Sequence, residues 1–406
     1  MQPQHIVIIG AGHAGGCAAG ALRTAGYSGR VTLVGTESYP PYERPPLSKQ
    51  LLAGALSIEK TYLRPPGWYA EAGIDLRLNT EVLHVDRASQ RLRLSKGGTV
   101  PYDAMLLATG ARPKTLPFAK TDARRIYYLR DINDALSLRD QLKSGTRLAI
   151  IGAGFIGLEV AATARHCGCT VVVLELASHP LARATPPEIG TFVADLHRRH
   201  GVDLKLNCSV NGIDSTRQCC AIHTGDGRTI EVDIVVIGIG ISPNTGLGAD
   251  AGLAVDDGIV VDQFGRTSDP AIFAAGDVTK HFNPLLGRAV RLEAWQNAQN
   301  QAIAVAKIMA GGSDAYSEVP WVWTDQYEMN LQIAGAPAQW NEIIYRGDPQ
   351  SGRFTAVQLS DGVPVGALTV NSARDMRFAR TLIARATPVE RDRLADSKIN
   401  LQELCR

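Results

Sequence analysis

Apolar residues early in the chain form short runs that end in glycine, and one such pattern occurs twice. In "HIVIIGAGHAGG", His5 to Gly16, four consecutive apolar residues lead into a glycine-rich turn and then an alanine-rich stretch. "LAIIGAGFIGLE", Leu148 to Glu159, repeats the order. Short apolar runs bounded by glycines are typical of buried strands, and alanine favours helix. The pattern therefore predicts two strand-turn-helix units.

Three further apolar runs also end in glycine-bearing turns, as strands of a parallel α/β sheet commonly do. They are "AMLLATGARP" at 104–113, "VDIVVIGIGISPN" at 232–244 and "AIFAAGDV" at 271–278. Each run alone fits any parallel sheet. Their order indicates that one dinucleotide-binding fold opens, is interrupted by a second complete one, and then resumes.

From about Val319 the pattern changes to short alternating strands, such as "RFTAVQLS" and "PVGALTV", followed by a charged helical tail. The predicted fold class is α/β, with two Rossmann-like domains, one inserted in the other, plus a C-terminal α+β domain. The predicted boundaries are 1–113 and 241–318 for the outer domain, 114–240 for the inserted domain and 319–406 for the C-terminal domain.

The first glycine-rich turn has the spacing of a pyrophosphate-binding loop. Glycines at Gly10, Gly12 and Gly15 allow a tight turn and a close approach of the backbone to a phosphate, whose charge meets the free N–H groups of the helix start. The next strand ends near Glu37, 22 positions after Gly15 (37 − 15), about where a carboxylate would accept hydrogen bonds from a ribose.

The second turn contains Gly152, Gly154 and Gly157, and its following strand delivers Glu175, 18 positions after the last glycine (175 − 157). An acid at this strand end pairs with a free 2′-hydroxyl and repels the 2′-phosphate of NADPH. Arg183 could instead accommodate such a phosphate. We expect NADH, with the acid as the main argument.

Composition narrows the function classes. The 42 basic and 40 acidic residues leave a net charge of +2, which gives no global reason to expect nucleic-acid or membrane binding. The seven cysteines form no C-x-x-C pair and no zinc pattern, so we expect reduced thiols and no metal. A strand within a few residues of the start leaves no room for a signal peptide, and we expect a cytoplasmic protein.

The paired loops, with "ATG" and "GD" signatures, resemble the two-dinucleotide-binding flavoproteins of the glutathione reductase superfamily. "YERPPLSK" at 42–49, "GLEVAATAR" and "EAWQNAQNQ" resemble the NADH-dependent ferredoxin reductases that serve bacterial oxygenases, such as biphenyl dioxygenase ferredoxin reductase and putidaredoxin reductase. The resemblance covers essentially the whole chain. It implies FAD in the outer domain, NAD in the inserted domain, and transfer of electrons from NADH to a [2Fe-2S] ferredoxin.

The resemblance also implies individual cofactor residues. Those expected near FAD are Gly10, Gly12, His13, Ala14, Gly15, Glu37, Arg44, Lys49, Val82, Thr109, Gly110, Arg130, Asp277 and Trp323. Relatives commonly carry an acid at the position of Thr36, so the ribose contact of Glu37 can be rearranged here. Lys49 is alternatively an ordinary solvated lysine, and Trp323 an ordinary core aromatic.

The residues implied near NAD are Gly152, Gly154, Ile156, Gly157, Glu159, Glu175, Arg183, Gly238 and Gly240. Glu159, Lys49 and Trp323 are expected to act in catalysis. Glu159 matches a position whose carboxylate approaches the carboxamide of the nicotinamide. A glutamate near a helix start also interacts favourably with the helix dipole, which is the alternative interpretation.

Other activities share this architecture. A rubredoxin reductase or an NADH oxidase is an alternative, while a disulfide reductase or a peroxide-reducing oxidase needs a redox-active cysteine, and "PPLSKQLL" has none. Cys17 lies in the first helix, where a small residue is simply packed. An apoptosis-inducing-factor-like binding flavoprotein is a further alternative, which the charge balance disfavours.

A basic segment near the C-terminus is the candidate docking site for an acidic ferredoxin. "NSARDMRFARTLIAR", residues 371–385, sets four arginines against the single acid Asp375: Arg374, Arg377, Arg380 and Arg385. The first three recur at a helical spacing of three and would share a broad face. A solvated helix surface is the alternative, and the rim around Arg64 is the second candidate face.

Overall fold

The computed structural model describes residues 3–118 and 125–405; residues 119–124, inside the expected inserted domain, lie outside the described residues. The chain divides into two compact units. The first unit contains Met1–Glu43, Tyr62–Ala111 and Pro243–Arg406, and the second contains Arg44–Thr61 and Arg112–Ser242. This division is coarser than the three domains expected from the sequence, whose boundaries stay a prediction.

The first unit is built on a five-stranded parallel sheet. Its strand order is Ile272–Ala274, Ala104–Leu107, His5–Ile9, Arg30–Val34 and Ile74–Arg77. The central strand is buried throughout, which explains its unbroken apolar run. Helices His13–Thr24 and Trp295–Met309 pack in the core on one face of this sheet.

Two small sheets and two short helices complete this part of the first unit. The sheets are Val82–Asp86, Arg91–Leu94 and Thr99–Pro101, and Ile259–Val261, Thr279–Asn283 and Arg288–Val290. The helices are Pro66–Glu71 and Gly246–Asp250.

The C-terminal part of the first unit is an antiparallel sheet with helices. Its strand order is Trp321–Gln326, Met329–Gly335, Val363–Val370, Arg353–Ser360 and Glu342–Asp348. Helix Ala373–Arg385 buries Met376, Ala379, Leu382 and Ile383. This part also contains helices Arg391–Ala395 and Leu401–Leu404 and the 3-10 turn Pro349–Ser351. The alternating apolar pattern had predicted this change of architecture.

The second unit repeats the parallel design. Its five-stranded sheet has the order Asp203–Lys205, Thr170–Leu174, Arg147–Ile151, Ile234–Ile237 and Ile126–Tyr127. The antiparallel strands are Val210–Ser215, Cys220–Thr224 and Thr229–Val232. The helices are Ile132–Arg139, Phe155–His166 and Pro187–Arg199, with 3-10 turns at Pro45–Ser48 and Ile58–Thr61.

Strands Ala111–Pro113 and Ile241–Pro243 form a two-stranded sheet. Two parallel sheets of Rossmann type and a C-terminal antiparallel sheet confirm the predicted fold class.

Candidate functional sites

The first glycine loop leaves no space for side chains at two of its glycines. Gly10 has φ +109°, and a Cβ built on it would lie 2.2 Å from the carbonyl oxygen of Ala108. A Cβ on Gly15 would lie 1.9 Å from the carbonyl oxygen of Gly10. Because these neighbours are backbone atoms, they cannot move aside. Glycine is required here by the fold of the turn itself.

The second loop has the same construction. Gly152 has φ +101°, and its Cβ would lie 2.6 Å from the carbonyl oxygen of Gly238. A Cβ on Gly157 would lie 2.1 Å from the carbonyl oxygen of Gly152. The loop therefore packs against the backbone of the Gly238 to Gly240 turn, which the sequence predicted on the nicotinamide side.

Both helix starts fit an anionic ligand. Within the described residues, neither Gly12 nor Gly154, the N-cap residues, provides a side-chain cap, and neither first turn contains an acidic residue. A phosphate at such a helix start would meet backbone N–H donors and the positive end of the helix dipole. The two loops fit the pyrophosphates of two dinucleotides.

Glu175 is held rigidly at the end of its strand. Its Oε2 accepts a hydrogen bond from the backbone N–H of Ala153 at 2.6 Å, and its Oε1 accepts one from Ala177 at 2.8 Å. Ala153 belongs to the glycine loop, so the carboxylate joins the strand end to that loop. Such charge-assisted bonds keep the negative charge at a defined position.

Glu37 has a different environment. Its carboxylate accepts a hydrogen bond from the Tyr42 hydroxyl, and its backbone carbonyl accepts one from Asn79 N at 3.0 Å. Sequence spacing predicted a ribose role for both acids. The two acids lie at different positions in their strand-end turns. In the second unit, Glu175 N donates to Lys205 O at 2.9 Å. The equivalent bond of the first unit is made by Gly35, whose N donates to Arg77 O at 2.9 Å.

Asn244 and Gln301 organise two turns of the first unit, and the sequence had not singled them out. Asn244 Nδ2 donates to Thr109 O, and Thr109 Oγ1 donates to Asn244 O, both at 2.9 Å, which fixes the turn that includes Gly110. Gln301 Oε1 accepts from Gly276 N at 2.9 Å, beside Asp277. Gln301 belongs to "EAWQNAQNQ", so that motif was the available signal.

Lys49 and Glu159 form a buried ion pair within the second unit. Lys49 Nζ lies 2.8 Å from Glu159 Oε1, and the exposed fractions of the two side chains are 14% and 4%. The Ser48 hydroxyl donates to Glu159 Oε2, and Thr163 Oγ1 donates to Ser48 O at 2.7 Å. The sequence predicted separate roles for Lys49 and Glu159. In the structure the two side chains form an ion pair, and Ser48 is a further hydrogen-bond partner of Glu159.

Arginines lie at two further places in the second unit. Arg44 donates a hydrogen bond from Nη1 to the carbonyl oxygen of Arg130, which brings two expected FAD residues together. Arg183 is exposed, and its Nη2 lies 3.2 Å from where a Cβ of Gly240 would stand. This puts the Arg183 guanidinium at the Gly238 to Gly240 turn.

Two hydrophobic residues from the prediction have contrasting environments. Val82 is buried in the core of the first unit with Ile9 and Leu107, so its side chain is structural and only its backbone remains for a ligand. Ile156 is 44% exposed at the start of the second loop's helix.

An aromatic series begins at the first glycine loop. The His13 ring lies 5.0 Å from that of Trp295, Trp295 lies 5.4 Å from Trp323 in an edge-on contact, and Trp323 stacks on Trp321 at 5.2 Å, all measured between ring centroids. The sequence analysis had placed His13 near FAD. The sequence had assigned roles to neither Trp295 nor Trp321.

Cys17 is an unreactive thiol. Burial raises its pKa to about 12, and its Sγ lies 3.8 Å from His13 Nε2. Because the thiolate is the reactive form, a thiol with this pKa is almost entirely protonated near neutral pH. The expectation of a simply packed cysteine fits this environment.

Helix Ala373–Arg385 separates its arginines. Arg374, Arg377 and Arg385 are exposed, whereas Arg380 is half-buried with its guanidinium carbon 5.6 Å from the centroid of the Trp321 ring. Asp375 does not pair with them, because its Oδ2 accepts from Thr355 Oγ1 at 2.9 Å and lies 3.8 Å from Nε of Arg346, an arginine of the sheet. The exposed positive charge is therefore largely uncompensated on this helix.

Within the described residues, no helix combines the length and the apolarity needed to cross a bilayer.

Comparison with known proteins identifies the relatives of this chain. Residues 4–302 match the pyridine nucleotide-disulphide oxidoreductase family, and residues 321–405 match a reductase C-terminal domain. The chain is 43% identical over 403 residues to the ferredoxin--NAD(+) reductase component of the anthranilate 1,2-dioxygenase system of Burkholderia cepacia, covering 99% of each chain. It is 40% identical over 400 residues to rhodocoxin reductase of Rhodococcus erythropolis, covering 98% of this chain and 93% of the relative.

A solved structure agrees with these relatives. The fold matches putidaredoxin reductase in its covalent complex with putidaredoxin, with a TM-score of 0.95, 38% identity and coverage of 99% of this chain and 98% of the other. FAD and NAD(H) are the cofactors of this group of proteins, in agreement with the two glycine loops. These matches confirm the resemblance inferred from the motifs, and the chain belongs to the pyridine nucleotide-disulphide oxidoreductase family.

Proposed function

We propose that this protein is an NADH-dependent ferredoxin reductase that passes electrons to a [2Fe-2S] ferredoxin supplying a bacterial oxygenase. The observation that carries the proposal is the presence of two glycine loops on two separate parallel sheets, each with an uncapped helix start. When bound, a flavin can accept two electrons from a hydride donor and release them singly, as an iron–sulfur acceptor requires. One loop thus serves the electron store and the other the electron donor.

In the first unit the loop around Gly10, Gly12, Ala14 and Gly15 is proposed to hold the FAD pyrophosphate, with Glu37 near the adenosine ribose. The turns of Thr109, Gly110 and Asp277 would hold the rest of the molecule. Two amide side chains, Asn244 and Gln301, support this assignment because they fix the backbone of those turns. Val82 completes the proposed FAD set of the first unit, while Arg44 and Arg130 belong to the second unit and their FAD role stays a prediction.

In the second unit the loop of Gly152, Gly154 and Gly157 is proposed to hold NADH, with Glu175 as the residue that selects it. The two backbone N–H groups that hold the Glu175 carboxylate support this role. A fixed negative charge cannot turn away from a 2′-phosphate, so NADPH would meet a repulsion that NADH avoids. Arg183 lies at the Gly238 to Gly240 turn, where it would contact another part of the nucleotide.

Lys49 and Glu159 are proposed to orient the reacting end of the nucleotide as a pair. Glu159 is buried and Lys49 is partly buried, and the two side chains form an ion pair, so the charge of one is stabilised by the other. Ser48 fixes the second carboxylate oxygen of Glu159. The pair gives Glu159 a defined rotamer for a hydrogen bond to the carboxamide.

The residue types speak against a disulfide-reducing activity. Ser48 stands in the segment where a redox-active cysteine would be required, and Cys17 is a neutral thiol. Within the described residues the cysteines are free thiols, which are already reduced, so electrons that reach the flavin are proposed to leave for an external acceptor. The exposed arginines Arg374, Arg377 and Arg385 are proposed to steer an acidic ferredoxin to the first unit.

The test uses the purified flavoprotein with a bacterial [2Fe-2S] ferredoxin. NADH-dependent reduction of cytochrome c should require the ferredoxin, and NADPH should be a much poorer donor. An anaerobic titration should consume one two-electron equivalent per flavin. Uptake of a second equivalent would indicate a redox-active disulfide and would overturn the proposal, as would equal cytochrome c reduction without ferredoxin.

A further inference from the structure

The four arginines of helix Ala373–Arg385 have two different environments, although the sequence presents them as one patch. Arg374 and Arg377 are exposed. Arg380 is half-buried, and its guanidinium carbon lies over the ring of Trp321 at 5.6 Å. In the part of the chain that the structure describes, the Arg380 Nε atom is buried and has no hydrogen-bond partner. The guanidinium therefore contacts an aromatic face.

Trp321 is held on several sides. Its ring stacks on Trp323 with an interplanar angle of 19°, and its Nε1 donates to Gln332 Oε1 at 3.2 Å. Gln332 in turn donates to Asn330 Oδ1 at 2.8 Å. Trp321 also packs against the apolar core that includes Met376 and Ala379 of the arginine helix. Trp321 therefore packs against a core to which the helix contributes, and the helix also places a cation over the indole.

The stack continues inward to the first glycine loop. Trp323 and Trp321 alternate with Val322 on one strand, so their side chains share a face of the sheet. Trp323 contacts Trp295, and Trp295 contacts His13 of the loop. Arg380 therefore lies at the outer end of a continuous series of rings, and any displacement of Trp321 reaches Trp323 directly.

We propose that Arg380 is a positioning residue that holds Trp321 flat against Trp323, while Arg374 and Arg377 supply the charge that steers the ferredoxin. Part of this proposal rests on the proposed function, because it assigns Trp323 to the electron-transfer end of the molecule. The stacking role does not depend on that function. A cation over an indole face is attracted by the ring quadrupole, and the attraction strengthens when water is excluded, as at this half-buried site.

The direct test is optical. Two stacked indoles couple their transitions, so the Trp321 and Trp323 pair should contribute an exciton couplet to the ultraviolet circular dichroism of the holoenzyme. Trp321→Phe removes one member and identifies the signal. Arg380→Gln should reduce this couplet if the cation holds the ring, because the attraction of the cation to the ring face is lost. Arg380→Lys should restore most of it, and Arg374→Gln, on the same helix, should leave it unchanged.

The kinetic test separates positioning from steering. Arg380→Gln should lower kcat for ferredoxin with little change in KM, and that loss should not depend on salt. Arg374→Gln should raise KM in a salt-dependent way. A wild-type couplet in Arg380→Gln would overturn the positioning role, even if the protein reduced no ferredoxin at all. If Arg380→Gln loses the couplet but the wild-type protein reduces no ferredoxin, the positioning role is supported and the proposed function is rejected.

Unfolding of Arg380→Gln would complicate these readouts, and Arg380→Lys covers that case. If the lysine variant folds and keeps the couplet while Arg380→Met folds and loses it, the cation is the cause, because methionine preserves the apolar stem. If lysine and methionine behave alike, packing alone holds the ring and the proposal is wrong.

Discussion

The two nucleotide loops are built on the same backbone plan but differ in the side chains at the ends of their strands. In each unit the loop glycine donates its N–H to the last residue of the second strand at 2.8 Å, Gly10 to Val34 and Gly152 to Leu174. In each, an asparagine with left-handed φ closes the turn after the third strand, Asn79 at 50° and Asn207 at 53°. The shared bonds set a common frame for comparing side chains.

In that frame the two acids lie two residues apart. Glu175 corresponds to Gly35. Glu37 corresponds to Ala177, because the carbonyl of Glu37 accepts from Asn79 N and the carbonyl of Ala177 accepts from Asn207 N. A Cβ on Gly35 would lie 2.4 Å from the Cβ of Ala11, so the first unit has no room for an acid at the position of Glu175. The comparison teaches that one backbone plan places its carboxylate at two different positions, according to the space beside each strand end.

The largest expected effect comes from adding one methyl group to each loop. Gly15→Ala should destabilise the first unit by about 3 kcal/mol and abolish FAD binding, because its Cβ would meet a backbone oxygen. Gly157→Ala should keep FAD and lose reduction by NADH. Bound flavin per chain and stopped-flow flavin reduction measure the two. Retention of FAD in Gly15→Ala would contradict the assignment of the loops.

Gly20→Ala is the matched control for the first loop. Gly20 lies in the same helix, and its Cβ would meet only the Trp68 ring at 3.7 Å, an ordinary contact. Alanine should raise the free energy of unfolding by up to about 1 kcal/mol through its helix propensity.

The buried pair of Lys49 and Glu159 should produce the next largest effect, confined to the second unit. Lys49→Met removes the Lys49 counter-ion of the buried Glu159 carboxylate and should cost about 3 kcal/mol of unfolding free energy. Lys49→Met with Glu159→Leu should recover most of that stability without restoring NADH reduction. Chemical denaturation measures both variants. Arg198→Met breaks the exposed pair with Asp195 and should cost less than about 1 kcal/mol.

Nucleotide choice should respond to Glu175 and not to Glu37. Glu175→Ala should weaken NADH binding by about 2 kcal/mol and improve the relative kcat/KM for NADPH, because a charge-assisted hydrogen bond and a repulsion are removed together. Glu175→Gln keeps the shape and should lose mainly the repulsion. Glu37→Ala should leave the NADH to NADPH ratio unchanged while weakening FAD binding. A shifted ratio in Glu37→Ala would show that the two strand ends had been assigned the wrong way round.

The smallest expected effect concerns the exit of electrons, which we propose to occur at the arginine helix of the first unit. Replacing Arg374 and Arg377 by Glu should raise KM for ferredoxin about fivefold at low ionic strength, with a flatter salt dependence, since steering acts on association and is screened by salt. KM for NADH should stay at its wild-type value. An equal rise in both constants would place these arginines outside any docking surface.

The sequence by itself determined the two strand-turn-helix units, the interruption of one by the other and the antiparallel C-terminal part, because these follow from apolar periodicity and from turns that only glycine can make. It also named Glu159, Glu175 and Lys49 as residues to examine. Spacing counts positions along the chain, however, and does not register where a turn starts, so it gave Glu37 and Glu175 the same role.

Only the tertiary structure decided that Lys49 and Glu159 form an ion pair to which Ser48 is hydrogen-bonded, since residues 48 and 159 are 111 positions apart and meet through packing. It likewise separated Arg380 from the other arginines of its helix by placing Trp321 beneath it. Helical spacing gives the direction of a side chain from its own axis. What that side chain meets depends on a strand more than fifty residues earlier, which no local pattern encodes.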